Sequence, residues 1–408
     1  MDQSVKNITL AFAEEIAEKA QNPINNERRY AWETIWTDHP KRPMILTRPL
    51  IINRLTGFQP VGDDGYLREL QHQLCSKLYK FNVIKDDAVL EPEITVQAVF
   101  KDGTVDSTMF GVPYSIHRGS KSFAFDGGVI EKIEDIKKLH YPEPEVDEEA
   151  TAILAEKAYE ATGGRLRIVI ERMRPFMFKW VNPVLFANYF VGYESLLAGM
   201  VENPDLIHAV MRFFTDAIIY NITQAEKRGY LPDASRDMWN DIPTYFADQP
   251  MHTPAKSLSQ MVCITGGEEF DPVSPDMCEE FLFRYEREIY THYRYTHYGC
   301  CESFDNKWHL LKSIPNLKMY SCSPWTDIRE AVENMGTGFA IDWRVKVQDI
   351  IYKQDKRAMR DEVQNGLNIA SGCPIAAVLQ DVETVNGNPN LVSEWVEAAR
   401  QGVEESHW

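Results

Sequence analysis

The chain has 408 residues, 44% hydrophobic and 25% charged, which is ample for a large core and longer than most single cores grow outside an α/β barrel. The net charge is −18 and no basic stripe stands out, so nucleic acid and anionic membrane surfaces are excluded as expected partners. Residues 1–20 carry acids and lack a basic leader region, no apolar run approaches ~18 residues, and the seven cysteines are an odd count; the expectation is a cytoplasmic protein with reduced thiols.

Residues 4–22 predict an amphipathic helix with Leu10, Phe12, Ile16 and Ala17 on one side, and a second helix follows at 27–37. Together they form an N-terminal helical extension over residues 1–40. Arg42-Pro43-Met44-Ile45-Leu46 reads as the first buried strand, its proline placed where no ladder N–H is needed. Leu67, Leu70, Leu74 and Leu78, spaced three and four apart, predict a helix over 64–79. Residues 91–127 break this rhythm. EITVQAVF, the Asp102-Gly103 turn, STMFGVPYSI and KSFAFDGG alternate like a meander, a small antiparallel β insertion.

A helix at 148–161 returns the chain to a regular order. RIVIE (167–171) is a strand, and a helix over 203–228 starts at Asn203 ahead of Pro204. Further strand ends fall at 238–241 and 261–265, and Ser274-Pro275 opens a helix to about residue 293. The last strands are YTHYGC (295–300), LKMYSCS (317–323), GFAIDW (338–343) and AAVLQD (376–381), with helices at 304–313, 325–335, 355–364 and 390–402. Repeated strand–helix units predict a parallel sheet with crossover helices, and their number favours one distorted (β/α)8 barrel domain spanning 1–408. No GxGxxG follows the first strand, which counts against a dinucleotide fold.

In such a barrel the chemistry sits at strand C-termini. The polar residues there include Glu171, Arg172 and Arg174, the stretch 237–241, Glu268 and Glu269, Cys300-Cys301-Glu302, Cys322, Asp342 and Asp381. Strand alternation puts His297 and Cys301 on one face and Tyr298, Cys300 and Glu302 on the other. His297, Cys301 and Cys322 are one candidate metal set; Cys300, Glu302 and Cys322 are the other. Zinc suits both, since it accepts imidazole, thiolate and carboxylate in a tetrahedral shell and becomes catalytic when one position stays open. Glu171, Asp241, Asp342 and Asp381 are candidate catalytic carboxylates. Arg172 and Arg174 are candidate anchors for an acidic group, and Trp239, Tyr298 and Trp343 candidate walls for a flat substrate.

The RPMIL strand, Asp86-Asp87-Ala88-Val89, EEFDPVSPDMCEEF, YGCCESFDNKW, SPWTDI and LQDVETVNGNP together resemble the uroporphyrinogen decarboxylase superfamily, more its methyltransferase-like branch than the true decarboxylases. The resemblance covers nearly the whole chain. It implies a distorted (β/α)8 barrel, zinc in the mouth, and methyl transfer between a small substrate or thiol and a corrinoid on a partner protein. A phenyl methyl ether would suit the aromatic residues. The arginine-rich signature of the true decarboxylases is replaced here by RPMILTRPLIINR. The competing readings are a cofactor-free decarboxylase of a tetrapyrrole-like or other small acid, and a non-catalytic corrinoid or small-ligand binding protein. The expected partners are a small-molecule substrate, a corrinoid protein and, as an assembly, a second copy in a homodimer.

Overall fold

The computed structural model describes residues 2–102, 108–114, 116–118, 123–125, 127–174, 177, 181–236 and 242–408. Its strands are β1 (Met44–Arg48), β2 (Glu93–Gln97), β3 (Ile116–Arg118), β4 (Phe123–Phe125), β5 (Arg167–Glu171), β6 (Val262–Thr265), β7 (Tyr295–Tyr298), β8 (Leu317–Cys322), β9 (Ala340–Arg344) and β10 (Ile375–Gln380). Six of them form one all-parallel sheet in the order β1-β10-β9-β8-β7-β6. β2 and β5 pair in parallel with each other, and β3 and β4 form an antiparallel hairpin. The protein is therefore α/β, with helices filling the connections.

β2 corrects one expectation. Glu93–Gln97 was expected to belong to the antiparallel meander, but it pairs in parallel with β5; within the expected insertion β3 and β4 form an antiparallel pair. Alternating side chains announce a strand without announcing its partner, because both pairings share the two-residue period. A buried helix at Pro183–Val191, a partly exposed one at Tyr193–Glu202 and a short one at Val347–Lys353 lie where the periodicity predicted none. Among the described residues no single helix is long and apolar enough to cross a membrane.

Both faces of the six-stranded sheet are covered, so its strands read as near-continuous apolar runs. Met44, Leu46, Val262, Ile264, Met319, Ala340, Ala376 and Val378 form one core with Trp32, Trp36 and Phe246. The intervening residues Ile45, Tyr320, Ile341, Ala377 and Leu379 join a second, larger core with the helices. The edge of β1 is closed by side chains. Asp87 accepts from the Ile45 amide at 2.8 Å and Asp86 from the Thr47 amide at 2.8 Å, satisfying donors that another strand would otherwise take. Burial pushes the Asp87 carboxyl up, yet Arg42 and Arg400 more than offset this and hold it below the usual carboxylate range.

Candidate functional site

The first core fixes which side chains can meet at the strand ends. Continuing its two-residue period toward the C-termini gives Arg48 on β1, His297 on β7, Ser321 on β8, Asp342 and Arg344 on β9, and Gln380 on β10. These residues do meet. His297 Nε2 lies 3.2 Å from Ser321 Oγ and 3.5 Å from Asp342 Oδ2, and Ser321 Oγ is 3.1 Å from the same carboxylate oxygen. Arg344 donates to Asp342 Oδ2 through Nε at 3.3 Å and Nη2 at 3.2 Å. Arg48 lies 3.8 Å from Asp342 and donates to Gln380 Oε1 at 2.7 Å. Burial would raise the Asp342 carboxyl, but Arg344, Arg48 and His297 outweigh it and keep it well below the normal range. Among the described residues, His297 Nδ1 and Asp342 Oδ1 are buried without a hydrogen-bond partner. Each such atom costs roughly 1–3 kcal/mol unless something pairs it.

The cysteines owe their placement to a glycine. Gly299 adopts φ +108°, a region that strongly favours glycine, immediately after β7 ends at Tyr298. Strand alternation stops there, and the two following side chains are released from opposite faces. The sulfurs of Cys300 and Cys301 come to 3.7 Å from each other, and Arg344 Nη1 donates to Cys300 Sγ at 3.0 Å. One carboxylate oxygen of Glu268, from the loop after β6, completes a group whose ligand atoms all lie within 4.8 Å of one another. The hydrogen bond between the sulfurs holds the Cys300 thiol high and draws the Cys301 thiol down.

This donor set fits zinc. Two thiolates on one tetrahedral ion, each ~2.3 Å away, stand about 3.8 Å apart. A carboxylate as third ligand leaves the fourth position open.

The other candidates are placed as follows. Glu302 bridges two strand ends, with its carboxylate accepting from Gly267 N at 2.9 Å and Cys300 N at 2.7 Å, so both oxygens are occupied as a loop clamp. Burial raises its carboxyl. Cys322 has the outward parity of Tyr320 and packs in the helix-side core, with Sγ 3.8 Å from the Thr326 carbonyl. Burial raises that thiol. Tyr298 also belongs to the helix-side core and lies 3.3 Å from Glu286, a fully buried acid whose carboxyl burial raises. Trp343 packs against Gly366, where an added Cβ would lie 2.1 Å from the indole.

Glu171 is buried and paired with Arg236 at 2.7 Å. Arg172 pairs with Glu148 at 3.1 Å, and Arg174 pairs with Asp102 while lying 4.2 Å over the Phe100 ring. These three are committed to partners around β5. Asp381 is exposed just after β10, at the rim of the strand ends. Trp239 and Asp241, with the strand expected at 238–241, lie outside the described residues.

A cavity of about 360 Å³ opens beside this assembly, lined by Arg48, Lys80, Arg344, Gln380 and Asp381 among others. That is the lower end of the size range for small-ligand sites. Lys80 and Glu269 were not singled out by sequence reasoning for any role. Lys80 lies at the end of a leucine-spaced helix, whose pattern marks the core and not the cavity. Glu269 was noted only as a strand-end acid. In the structure it sits half-buried near Asn182 and Glu268, and burial pushes its carboxyl up to about 7.

No family model matches the chain, and no curated protein matches it in sequence. Among solved structures it is similar to a methyltransferase from Methanosarcina mazei, with a TM-score of 0.53 and 13% identity over 92% of this chain and 98% of that one. At this identity the likeness concerns the fold.

Proposed function

We propose that the chain is a zinc-dependent methyltransferase that moves a methyl group between a small substrate and a corrinoid carried by a partner protein. In this reading the six- and two-stranded sheets are two arcs of a distorted (β/α)8 barrel, and the metal lies at its mouth. Cys300, Cys301 and Glu268 hold the ion. One observation carries the reading: two sulfurs at the spacing of a shared tetrahedral ion, with a carboxylate beside them at a strand end. A fold shared along nearly the full length of a methyltransferase supports it.

The bound ion would supply Lewis-acid polarisation of the oxygen, nitrogen or sulfur that carries or receives the methyl group. The rest falls to the chain's own groups. Arg344 stands against Cys300 and offsets the negative charge of the thiolates, and Asp342 holds the guanidinium in place through two hydrogen bonds. Glu269, poised near neutrality, can hold or release a proton at the mouth. The neighbouring cavity admits a small substrate, with Gln380 and Asp381 as polar contacts. The cations Arg48, Lys80 and Arg344 around the same cavity favour, as a second reading, decarboxylation of a small acid.

Elemental analysis of protein purified without added metal tests the first reading. Roughly one equivalent of zinc per chain is expected, lost in Cys300→Ala and Cys301→Ala and retained in Cys322→Ala. Absence of any transition metal, or metal content indifferent to Cys300 and Cys301, would refute it.

A further inference from the structure

Adjacent cysteines with facing sulfurs have a chemistry of their own. Cys300 and Cys301 are both partly exposed, neither lies in a strand, and their sulfurs are 3.7 Å apart. Arg344, in contact with Cys300 Sγ, also lines the 360 Å³ cavity, so a small solute that reaches this cavity reaches the neighbourhood of the sulfurs. We propose that Cys300 and Cys301 form a reversible redox-modification site, which a peroxide closes into a vicinal disulfide.

The step balances without further reagents. One sulfur attacks a peroxide oxygen, the O–O bond breaks, and the departing hydroxide leaves as water with the thiol proton. The sulfenic acid so formed is attacked by the second sulfur. The S–S bond forms, the S–O bond breaks, and a second water departs. Two thiols lose two electrons in total, and one peroxide is reduced to two waters.

Geometry favours this outcome over the alternatives. The sulfurs must close from 3.7 Å to about 2.05 Å, a movement within reach of side-chain torsions. A resolving thiol already in contact intercepts the sulfenic acid before further oxygen is added. Of the other five cysteines, Cys263, Cys278, Cys322 and Cys373 are buried; Cys75 is partly exposed, and burial raises its thiol. Reversibility follows from the backbone. Successive Cα atoms stand ~3.8 Å apart, below the ~4.4 Å at which ordinary disulfides begin. A bond made under that constraint is strained and readily reduced by a dithiol. It is a switch and not a staple. If the zinc reading also holds, oxidation removes two of the three ligands at once, so the metal and the disulfide exclude each other.

The test uses the full chain, chelator-treated and exposed to hydrogen peroxide. Trypsin releases residues 295–307 as one peptide carrying Cys300 and Cys301 and no other cysteine. The expected peptide is lighter by two hydrogens and takes no alkylating label; dithiothreitol restores two labelled thiols. Cys301→Ser, checked for native folding by circular dichroism, should instead carry added oxygen on Cys300. Two alkylatable thiols after peroxide, dioxygenation of one sulfur in the wild-type chain, or a link between two chains would each overturn the proposal. These readouts do not depend on metal content, so failure of the zinc reading and failure of this one are distinguishable.

Discussion

Replacing Asp342 by asparagine removes the only formal negative charge that Arg344 contacts through two hydrogen bonds among the described residues. The carboxylate lies 3.2 Å from Arg344 and 3.8 Å from Arg48. At an effective dielectric of about 20, each contact is worth roughly 4 to 5 kcal/mol of attraction. Desolvating the three charges costs several kcal/mol apiece, so the intact cluster contributes little net stability. Removing the anion alone is different, because it takes this counter-charge from the buried Arg344 guanidinium. The expected loss is about 3–5 kcal/mol. Urea unfolding midpoints measure it, urea being uncharged and leaving the ion pairs unscreened. The double variant Asp342→Asn with Arg344→Met should recover at least half of that loss, since both the anion and its principal cation are gone. A loss below ~1 kcal/mol in Asp342→Asn, or a double variant no better than the sum of the singles, would refute the claim that these charges hold one another in place.

Two further outcomes follow from other parts of the molecule. Glu269 has a folded-state pKa of about 7 against an ordinary value of 4.5, so its contribution is fully present below pH 4.5 and is lost as pH rises through 7. Glu269→Gln should therefore match the wild type at pH 4 and exceed it at pH 8 by up to roughly 3 kcal/mol in urea unfolding; equal stabilities at both pH values would contradict the burial argument. Gly366→Ala would place a Cβ 2.1 Å from the Trp343 ring and should cost about 1–3 kcal/mol or more, with Trp343→Phe relieving part of the loss. An alanine variant as stable as the wild type would mean that Trp343 does not pack on the helix Lys356–Ile369 that carries Gly366.

Much of the fold was legible in the sequence because local patterns specify it. The helices at Gly65–Tyr79 and Glu148–Ala161 follow from apolar spacing and from Asp64 and Asp147 accepting their first-turn amides. β6 to β10 fall on the apolar runs that predicted strands, because a sheet buried on both faces requires them. Partnering was not legible. β2 could not be told from a meander strand, because its pairing with β5 is a contact across some seventy residues that no local pattern encodes.

The candidate site divides along the same line. The residue types for a metal site were visible in Cys300-Cys301-Glu302, but which of them face one another was not. Strand parity, read as continuing through residue 302, grouped His297 with Cys301 and Cys300 with Glu302. Gly299 ends that parity with φ +108°, and a backbone torsion at one residue then decides that Cys300 meets Cys301 and that Glu302 turns back to clamp Gly267. Cys322, from the next strand, stood in both candidate metal sets, and only the two cores show which face of β8 it occupies. Glu268 entered the set only because β6 and β7 are neighbours, which brings their two following loops together. The sequence by itself determined the elements, their amphipathic faces and the chemistry available at their ends. Only the tertiary structure decided which of those ends share a space, because that depends on strand order and on where the alternation stops.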